Sequence, residues 1–316
     1  MQAAFVTELA GVERIELGEQ PDPVPGAGEA LVRVHAAGVG PWDPQFLSGA
    51  FPGIAVPFVP GQEVAGVVEA VGDGADVKPG DRVFGTLFPT GGGFAEYAVL
   101  TMDGLALMPE GMSFEDGAAL VIGAGTAYEG LVDRGRLQPG ETVLITAASG
   151  GVGHTAVQIA ASLGARPLGV ASPGNHEYVR ALGASDVFDY HADDWVEQVL
   201  VAVPGGVDLL LDAAGGATRD QALRAVREGG RVISMVPDGP SDQPPFGPRE
   251  YERGITGEVF PAHITRQRLE ALGRLLDAGQ LRAEVEAVLP LDQAREAVER
   301  VAGRHTRGKV VVQIKS

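Results

Sequence analysis

The 316-residue chain is predicted to be an α/β protein of two domains, a β-barrel or sandwich of short strands joined to a doubly wound parallel sheet. Three observations carry this reading. The length exceeds one average domain of about 100–200 residues. Up to Met108, short alternating runs are separated by glycine and proline turns, the signature of an all-β domain. Beyond Ser113, apolar strands alternate with segments of helical period, as in a parallel sheet. Hydrophobic residues at 45% and charged residues at 21% lie near the globular average, which excludes a disordered chain or a coiled coil.

The opening MQAAFVTELAG has no basic stretch ahead of an apolar core, so no signal peptide is expected. Residues 29–37 (EALVRVHAA) alternate, placing Val32, Val34 and Ala36 on one face and Arg33 and His35 on the other. GQEVAGVVEAVG, DRVFG, FAEYAVL and LALMP follow as strands. Between Gly40 and Gly61, Pro41, Pro44, Pro52, Pro57 and Pro60 predict a long irregular loop, a frequent carrier of function.

Residues 142–165 carry no formal charge and are long enough to span a bilayer, but Ser149, Gly150 and Gly151 break them, and His154 and Gln158 follow. They read as a buried strand, a glycine turn and a helix over Val152, Ala156, Ile159, Ala160 and Leu163, capped by Gly164. DVFDY, VDLLLD and GRVISMV are further strands, with a helix predicted at 217–228. Residues 255–260 (ITGEVF) read as an edge strand of the parallel sheet, with an edge covered by its own chain as the alternative. An amphipathic helix at 265–279, a strand at 282–289, a helix at 291–302 and the strand GKVVVQI close the chain.

With 24 Lys and Arg against 42 Asp and Glu, the net charge of −18 disfavours nucleic acid and anionic membranes as partners. The absence of cysteine excludes disulfides, thiolate nucleophiles and Cys-based metal centres, and fits a cytoplasmic chain. Histidines at 35, 154, 176, 191, 263 and 305 show no pair at metal-ligand spacing, so packing or surface roles are expected for each. Ser149 and Ser172 have no evident His–Asp partners, so hydrolase chemistry is not supported.

The sharpest motif is AASGGVGHTA, in which Gly151, Gly153 and Ala156 have the spacing G-x-G-x-x-A between a strand and a helix. There glycines permit a tight turn and the close approach of a pyrophosphate to the positive helix end. Ser149, Gly150, Gly151, Val152 and Gly153 are the candidate phosphate cradle. The next strand ends near Ser172 without a carboxylate, and Ser172 and Asn175 offer donors to a 2′-phosphate, which favours NADP. No Lys or Arg lies between Ser172 and Tyr178 to add positive charge. Gly215, Gly216 and Val236, at strand C-termini, are further candidates for cofactor contact.

These motifs, with AAGVGPWD, PGQEVAGVVEAVG, VKPGDRVFG, LGASDVFDY and TRGKVVVQI in this order, resemble the medium-chain dehydrogenase/reductase superfamily, specifically its zinc-independent quinone oxidoreductase branch. The resemblance implies a GroES-like barrel from residues 1–121 and 280–316, a Rossmann domain from 122–279, and substrate in the cleft. It also implies a homodimer. The positions matching the catalytic zinc ligands of related alcohol dehydrogenases hold Gly40, Gln62 and Ala124, so no metal is expected. Quinone oxidoreductases usually carry Asn where this chain has Gly40, and often Tyr near Phe51.

The resemblance places Asp43 and Trp42 at the substrate, where Asp43 is either a pocket acid or a turn-forming residue. Thr126 and Tyr128 match the segment that approaches the nicotinamide, with helix packing as the alternative. The expected catalytic set is therefore Asp43, Thr126 and Tyr128, and the expected pocket is Gly40, Trp42, Phe51, Gln62 and Phe88. Lys309 reads as part of a solvated basic turn. The implied activity is NADPH-dependent, metal-independent reduction of quinones or α,β-unsaturated carbonyls. The alternative is a nicotinamide-binding protein with little turnover and a structural or regulatory role.

Overall fold

The computed structural model describes residues 1–237, 244–303 and 306–314. It forms two compact units, one from Met1–Ile122, Ile264–Asp277 and the described part of Arg282–Ser316, the other from Gly123–His263 and Ala278–Leu281.

In chain order the first unit opens with the antiparallel pair β1 (Gln2–Phe5) and β2 (Glu16–Glu19). There follow β3 (Glu29–Val39), helix α1 (Trp42–Leu47), β4 (Glu63–Val71), β5 (Arg82–Thr86), β6 (Tyr97–Thr101) and β7 (Leu105–Leu107). Strand β3 is built on the expected alternation: Ala30, Val32, Val34 and Ala36 are buried, with more exposed residues between them. Its register with β4 shifts between Val34 and Ala36, so Ala37 and Gly38 are buried too.

The stretch between Gly40 and Gly61 is not wholly irregular, because it contains α1. Pro44 sits in the first turn, where its missing N–H costs little, and Phe46 and Leu47 become fully buried in the barrel core.

Helix α2 (Phe114–Tyr128) continues as a π-helical turn, Glu129–Arg134, and leads into the second unit. There β8 (Thr142–Ile145), α3 (Gly153–Ser162), β9 (Arg166–Val170), α4 (His176–Ala181), β10 (Asp186–Phe188), α5 (Trp195–Ala202) and β11 (Val207–Asp212) alternate. They are followed by α6 (Gly216–Ala222), β12 (Val226–Ser234), β13 (Gly247–Glu250) and β14 (Thr256–Val259). The sheet order is β10-β9-β8-β11-β12-β14-β13, parallel throughout except for β13. This is the doubly wound dinucleotide-binding order with one antiparallel strand added. Gly164 takes φ +74° just past α3, as a helix-ending glycine should.

Three expectations change here. ITGEVF is not an edge: β14 lies between β12 and β13, and β13 is the outer strand. The helix predicted at 217–228 ends at Ala222, because Val226 already belongs to β12 and Gly229 takes a positive φ of 65°. Finally α7 (Arg266–Asp277), expected in the parallel-sheet domain, packs on β7 of the first unit with Leu269 and Leu272 buried.

The chain closes with β15 (Val285–Pro290), α8 (Ala294–Ala302) and β16 (Lys309–Gln313). These complete a sheet of order β15-β16-β3-β4-β5-β7, with β6 on β3. Among the described residues no helix is long and apolar enough to cross a membrane.

Candidate active site

In the second unit the site begins where β8 meets α3. The turn folds back tightly: Gly150 N donates to Ala147 O (3.0 Å), and Ala147 itself takes φ 50°. A Cβ on Gly153 would lie 2.1 Å from Ala147 O, so only glycine fits there. Gly123 backs the turn equally closely, since its Cβ would stand 2.5 Å from Gly151 O. Ser149, Gly150, Gly151 and Val152 form the partly exposed lip of this turn at the start of the ten-residue α3. A pyrophosphate fits such a cradle, because backbone approaches that side chains would block are open and the helix end is positive. His154 serves packing, buried with Nδ1 2.9 Å from Gly150 O.

Ser172 follows β9, and the Asn175 Nδ2 donates to its hydroxyl at 3.1 Å. The two candidate contacts for the 2′-position thus act as one polar pair. The neighbouring β10 ends beside it, with Ala171 N donating to Phe188 O, and brings Asp189 to the same end of the sheet. The His191 N–H and ring hold the Asp189 carboxyl below its usual range.

The opposite rim is fixed by a buried network that no sequence motif announced. Thr146 and Ser234 donate their hydroxyls to the two oxygens of Asp212 at 2.7 and 2.8 Å. The amides of Ala214 and Gly215 also donate to Asp212, and that of Ala213 to Thr146 Oγ1. One carboxylate therefore ties together the C-terminal ends of β8, β11 and β12. Gly215 has φ +70°, and its Cβ would lie 2.5 Å from the Val236 side chain, so the two rim loops interlock. Thr126 is buried and Tyr128 partly exposed, both in the last turn of α2.

In the first unit, Asp43 is fully buried, and its oxygens accept from Gly40 N (2.8 Å) and Gly61 N (3.0 Å). Burial pushes its carboxyl up to about 7, against the pull of these amides and of Lys309. With both oxygens engaged on backbone, Asp43 is a clamp between α1 and the lead into β4. Of the two readings of this residue, the geometry is that of the structural one.

Lys309 is not in a solvated turn. It is 4% exposed, paired with the fully buried Glu63, and its Nζ also donates to Val39 O at 3.0 Å. Burial pushes the Glu63 carboxyl up while Lys309 and the Ile122 N–H pull it down. Glu63 opens β4 as an acid in an apolar run, EVAGVV, and Lys309 opens β16 in KVVVQ. A charge at the head of a buried strand was the signal that could have found both.

Phe51 and Phe88 come together around the buried Phe46, with ring centroids 4.2 Å (Phe46–Phe51) and 5.8 Å (Phe46–Phe88) apart. Trp42 instead folds over Gly40, and Lys309 Nζ lies 5.2 Å from its ring centre. Gln62 is fully buried and accepts from Gly91 N at 3.2 Å. Ala124 is buried in the second unit. Of the remaining histidines, His35 stacks on Phe114 at 4.2 Å and His263 N donates to Glu129, while His305 lies outside the described residues. Among the described residues no three His, Cys, Asp or Glu are grouped to hold a metal.

Comparison with known proteins agrees with this architecture. Residues 26–110 match the alcohol dehydrogenase GroES-like domain, and residues 182–312 match the zinc-binding dehydrogenase family. The mouse quinone oxidoreductase is 34% identical over 326 aligned residues, covering 99% of this chain and 97% of that protein. A solved NAD-dependent alcohol dehydrogenase superposes with a TM-score of 0.89 at 30% identity, covering 99% of this chain and all of that one. The quinone oxidoreductase of Coxiella burnetii gives 0.87 at 27% identity, covering 100% and 99%. The two units and the glycine cradle thus define a nicotinamide-dependent oxidoreductase. The chain belongs to the medium-chain dehydrogenase/reductase superfamily, in its quinone oxidoreductase branch.

Proposed function

We propose that this oxidoreductase reduces quinones or α,β-unsaturated carbonyls with NADPH and without a metal. The observation that carries the reading is the cradle closed by Gly153 against Ala147 O, with the Ser172–Asn175 pair at the end of the adjacent strand. Ser149, Gly150, Gly151, Val152 and Gly153 would hold the pyrophosphate, Ser172 and Asn175 the 2′-phosphate, and Val236 the nicotinamide side. The bound cofactor supplies the hydride. The protein contributes orientation and exclusion of water, which suffices for conjugated acceptors because their π-system spreads the incoming charge. Thr126 and Tyr128 are the proposed polar contacts near the reacting carbon, and Phe51 and Phe88 the aromatic wall.

Metal independence rests on side-chain chemistry. Gly40 has no ligand atom, Ala124 offers a methyl, and Gln62 presents an amide whose oxygen is already taken by Gly91 N. The test is oxidation of NADPH followed optically with 1,4-naphthoquinone and cyclohex-2-enone, before and after chelation. Turnover that survives chelation, with negligible oxidation of simple alcohols by NADP⁺, is expected. Alcohol oxidation without reduction of either acceptor would overturn the proposal, and tight NADPH binding with no turnover at all would favour a binding protein.

A further inference from the structure

Beyond the end of β9, two histidines and an acid of the second unit are tied together through Ala171. Its N–H donates to Phe188 O at 3.0 Å, which sets the exit of β10, and its carbonyl accepts from His176 Nε2 at 3.1 Å. Asp189 follows Phe188 and accepts from both the His191 N–H (3.0 Å) and the ring Nδ1 (2.8 Å). The His191 N–H, then its ring, and then the charge of His176 draw the Asp189 carboxyl below its usual range, so the three groups share one electrostatic site. Ser172 and Asn175, joined at 3.1 Å, lie between Ala171 and His176 in the chain. The corner is open to a ligand: the His191 side chain is 59% exposed, and the neighbouring Tyr190 ring is exposed as well.

The partners fix what each imidazole can offer. Carbonyl and carboxylate oxygens accept, so His176 donates through Nε2 and His191 through Nδ1. The other nitrogen of each neutral ring is then an acceptor, which phosphate oxygens repel. A second proton turns it into a donor and the ring into a cation. Asp189 and the two rings together thus pass from one net negative charge to one net positive charge when both rings are protonated. No Lys or Arg between Ser172 and Tyr178 makes that charge permanent, and the exposed Arg180 stands one turn further along α4 from the strand end. The remaining titratable side chains of these segments are Glu177 and Tyr178 on α4 and Tyr190, Asp193 and Asp194 after β10, and the three acids are exposed. We propose that His176 and His191 are specificity-determining residues for the cofactor, giving the 2′-phosphate of NADPH its positive partner only while they carry a proton. This rests on the NADPH reading above. Preference for NADPH over NADH should therefore rise as pH falls. Against a permanent cation the trend would be the opposite, because a phosphate monoester gains its second charge near pH ~6.

The test uses the full chain and two probes that carry only the adenosine half, 2′,5′-ADP and 5′-AMP, titrated calorimetrically at about pH 6 and about pH 8. No turnover is needed. The affinity ratio favouring 2′,5′-ADP should fall about tenfold from the lower pH to the higher. The double variant His176→Gln, His191→Gln should show at the lower pH the ratio that the wild type shows at the higher. His191→Lys, whose charge is permanent, should keep a high ratio at both. Should the double variant fail to fold, His191→Gln and His191→Lys decide, since that side chain is exposed. A preference for 2′,5′-ADP that is equal at both pH values, or that falls as steeply in the double variant, overturns the histidine role and leaves the NADPH reading standing. Binding of 2′,5′-ADP no tighter than 5′-AMP at either pH removes the NADPH preference itself and this inference with it.

Discussion

Lys309 meets Glu63 across the strand that separates theirs. Lys309 opens β16, Glu63 opens β4, and β3 runs between them with Gly38 at the crossing. A Cβ on Gly38 would lie 2.6 Å from Glu63 Oε1, so the absent side chain is what lets the pair form. Removing one member of a buried pair strands the other charge. Lys309→Met is expected to cost about 3–5 kcal/mol in urea denaturation, and adding Glu63→Gln to restore part of it. A loss within ~0.5 kcal/mol would show that the pair is not closed in solution.

Asp43 sets a pH dependence whose sign is fixed. Its carboxyl lies at about 7 in the folded chain against an ordinary 3.8, raised chiefly by burial, so the folded state holds the proton more tightly. Its contribution to stability is complete below 3.8 and is lost as pH rises toward 7. Denaturation midpoints of the wild type should fall across that window relative to Asp43→Asn, which has no carboxyl to ionise. Parallel pH profiles for the two proteins would contradict this.

The cradle has its own test in Gly153→Ala. The added methyl meets Ala147 O and forces the turn open. Destabilisation of about 1–3 kcal/mol is expected. NADPH affinity should fall by at least ~tenfold, equivalent to about 1.4 kcal/mol. Calorimetry showing full affinity would remove the pyrophosphate from this turn.

Cofactor choice should respond to both strand ends beside Ser172. Ser172→Asp places a carboxylate against a 2′-phosphate and is expected to shift preference toward NADH. Asp189→Asn removes the neighbouring negative charge and should shift it toward NADPH. Paired titrations of NADH and NADPH measure each shift, and an unmoved ratio in both variants would separate this end of the sheet from the adenosine.

A homodimer is expected, and pairing by the edge of the parallel sheet would use β13 rather than β14. That strand carries Pro248, which donates no backbone hydrogen bond and so limits how long a continuous intersubunit ladder can be. Light scattering should give twice the chain mass of 32.7 kDa at micromolar concentration. A single-chain mass would refute it.

The parallel sheet was legible because VDLLLD and the glycine turn have local signatures: unbroken apolar runs and a fixed spacing of small residues. The barrel strands showed through alternation in β3 for the same reason. What stayed hidden depends on partners distant in sequence. Lys309 looks like a solvated charge until β16 is set beside β3, and Asp212 looks like the polar end of an apolar strand until Thr146 and Ser234 converge on it. The helix Trp42–Leu47 was masked by prolines, since Pro44 is compatible with a first turn and its neighbours' burial is a tertiary fact. The crowding of Gly40 by Trp42 is likewise invisible at a spacing of two residues, where side chains are not expected to overlap.

The Asp212 network also bears on how this molecule breathes. Ala213, Ala214 and Gly215 lie beyond the end of β11, where amides ordinarily exchange with solvent through small local openings. Here their N–H groups are held by side chains from two strand ends, those of β8 and β11, and Ser234 of β12 secures the carboxylate from the third. Freeing them requires parting strands that are neighbours in space but far apart in the chain. Their deuterium uptake should therefore be as slow as that of the central strands, so that this loop opens only when the whole sheet does.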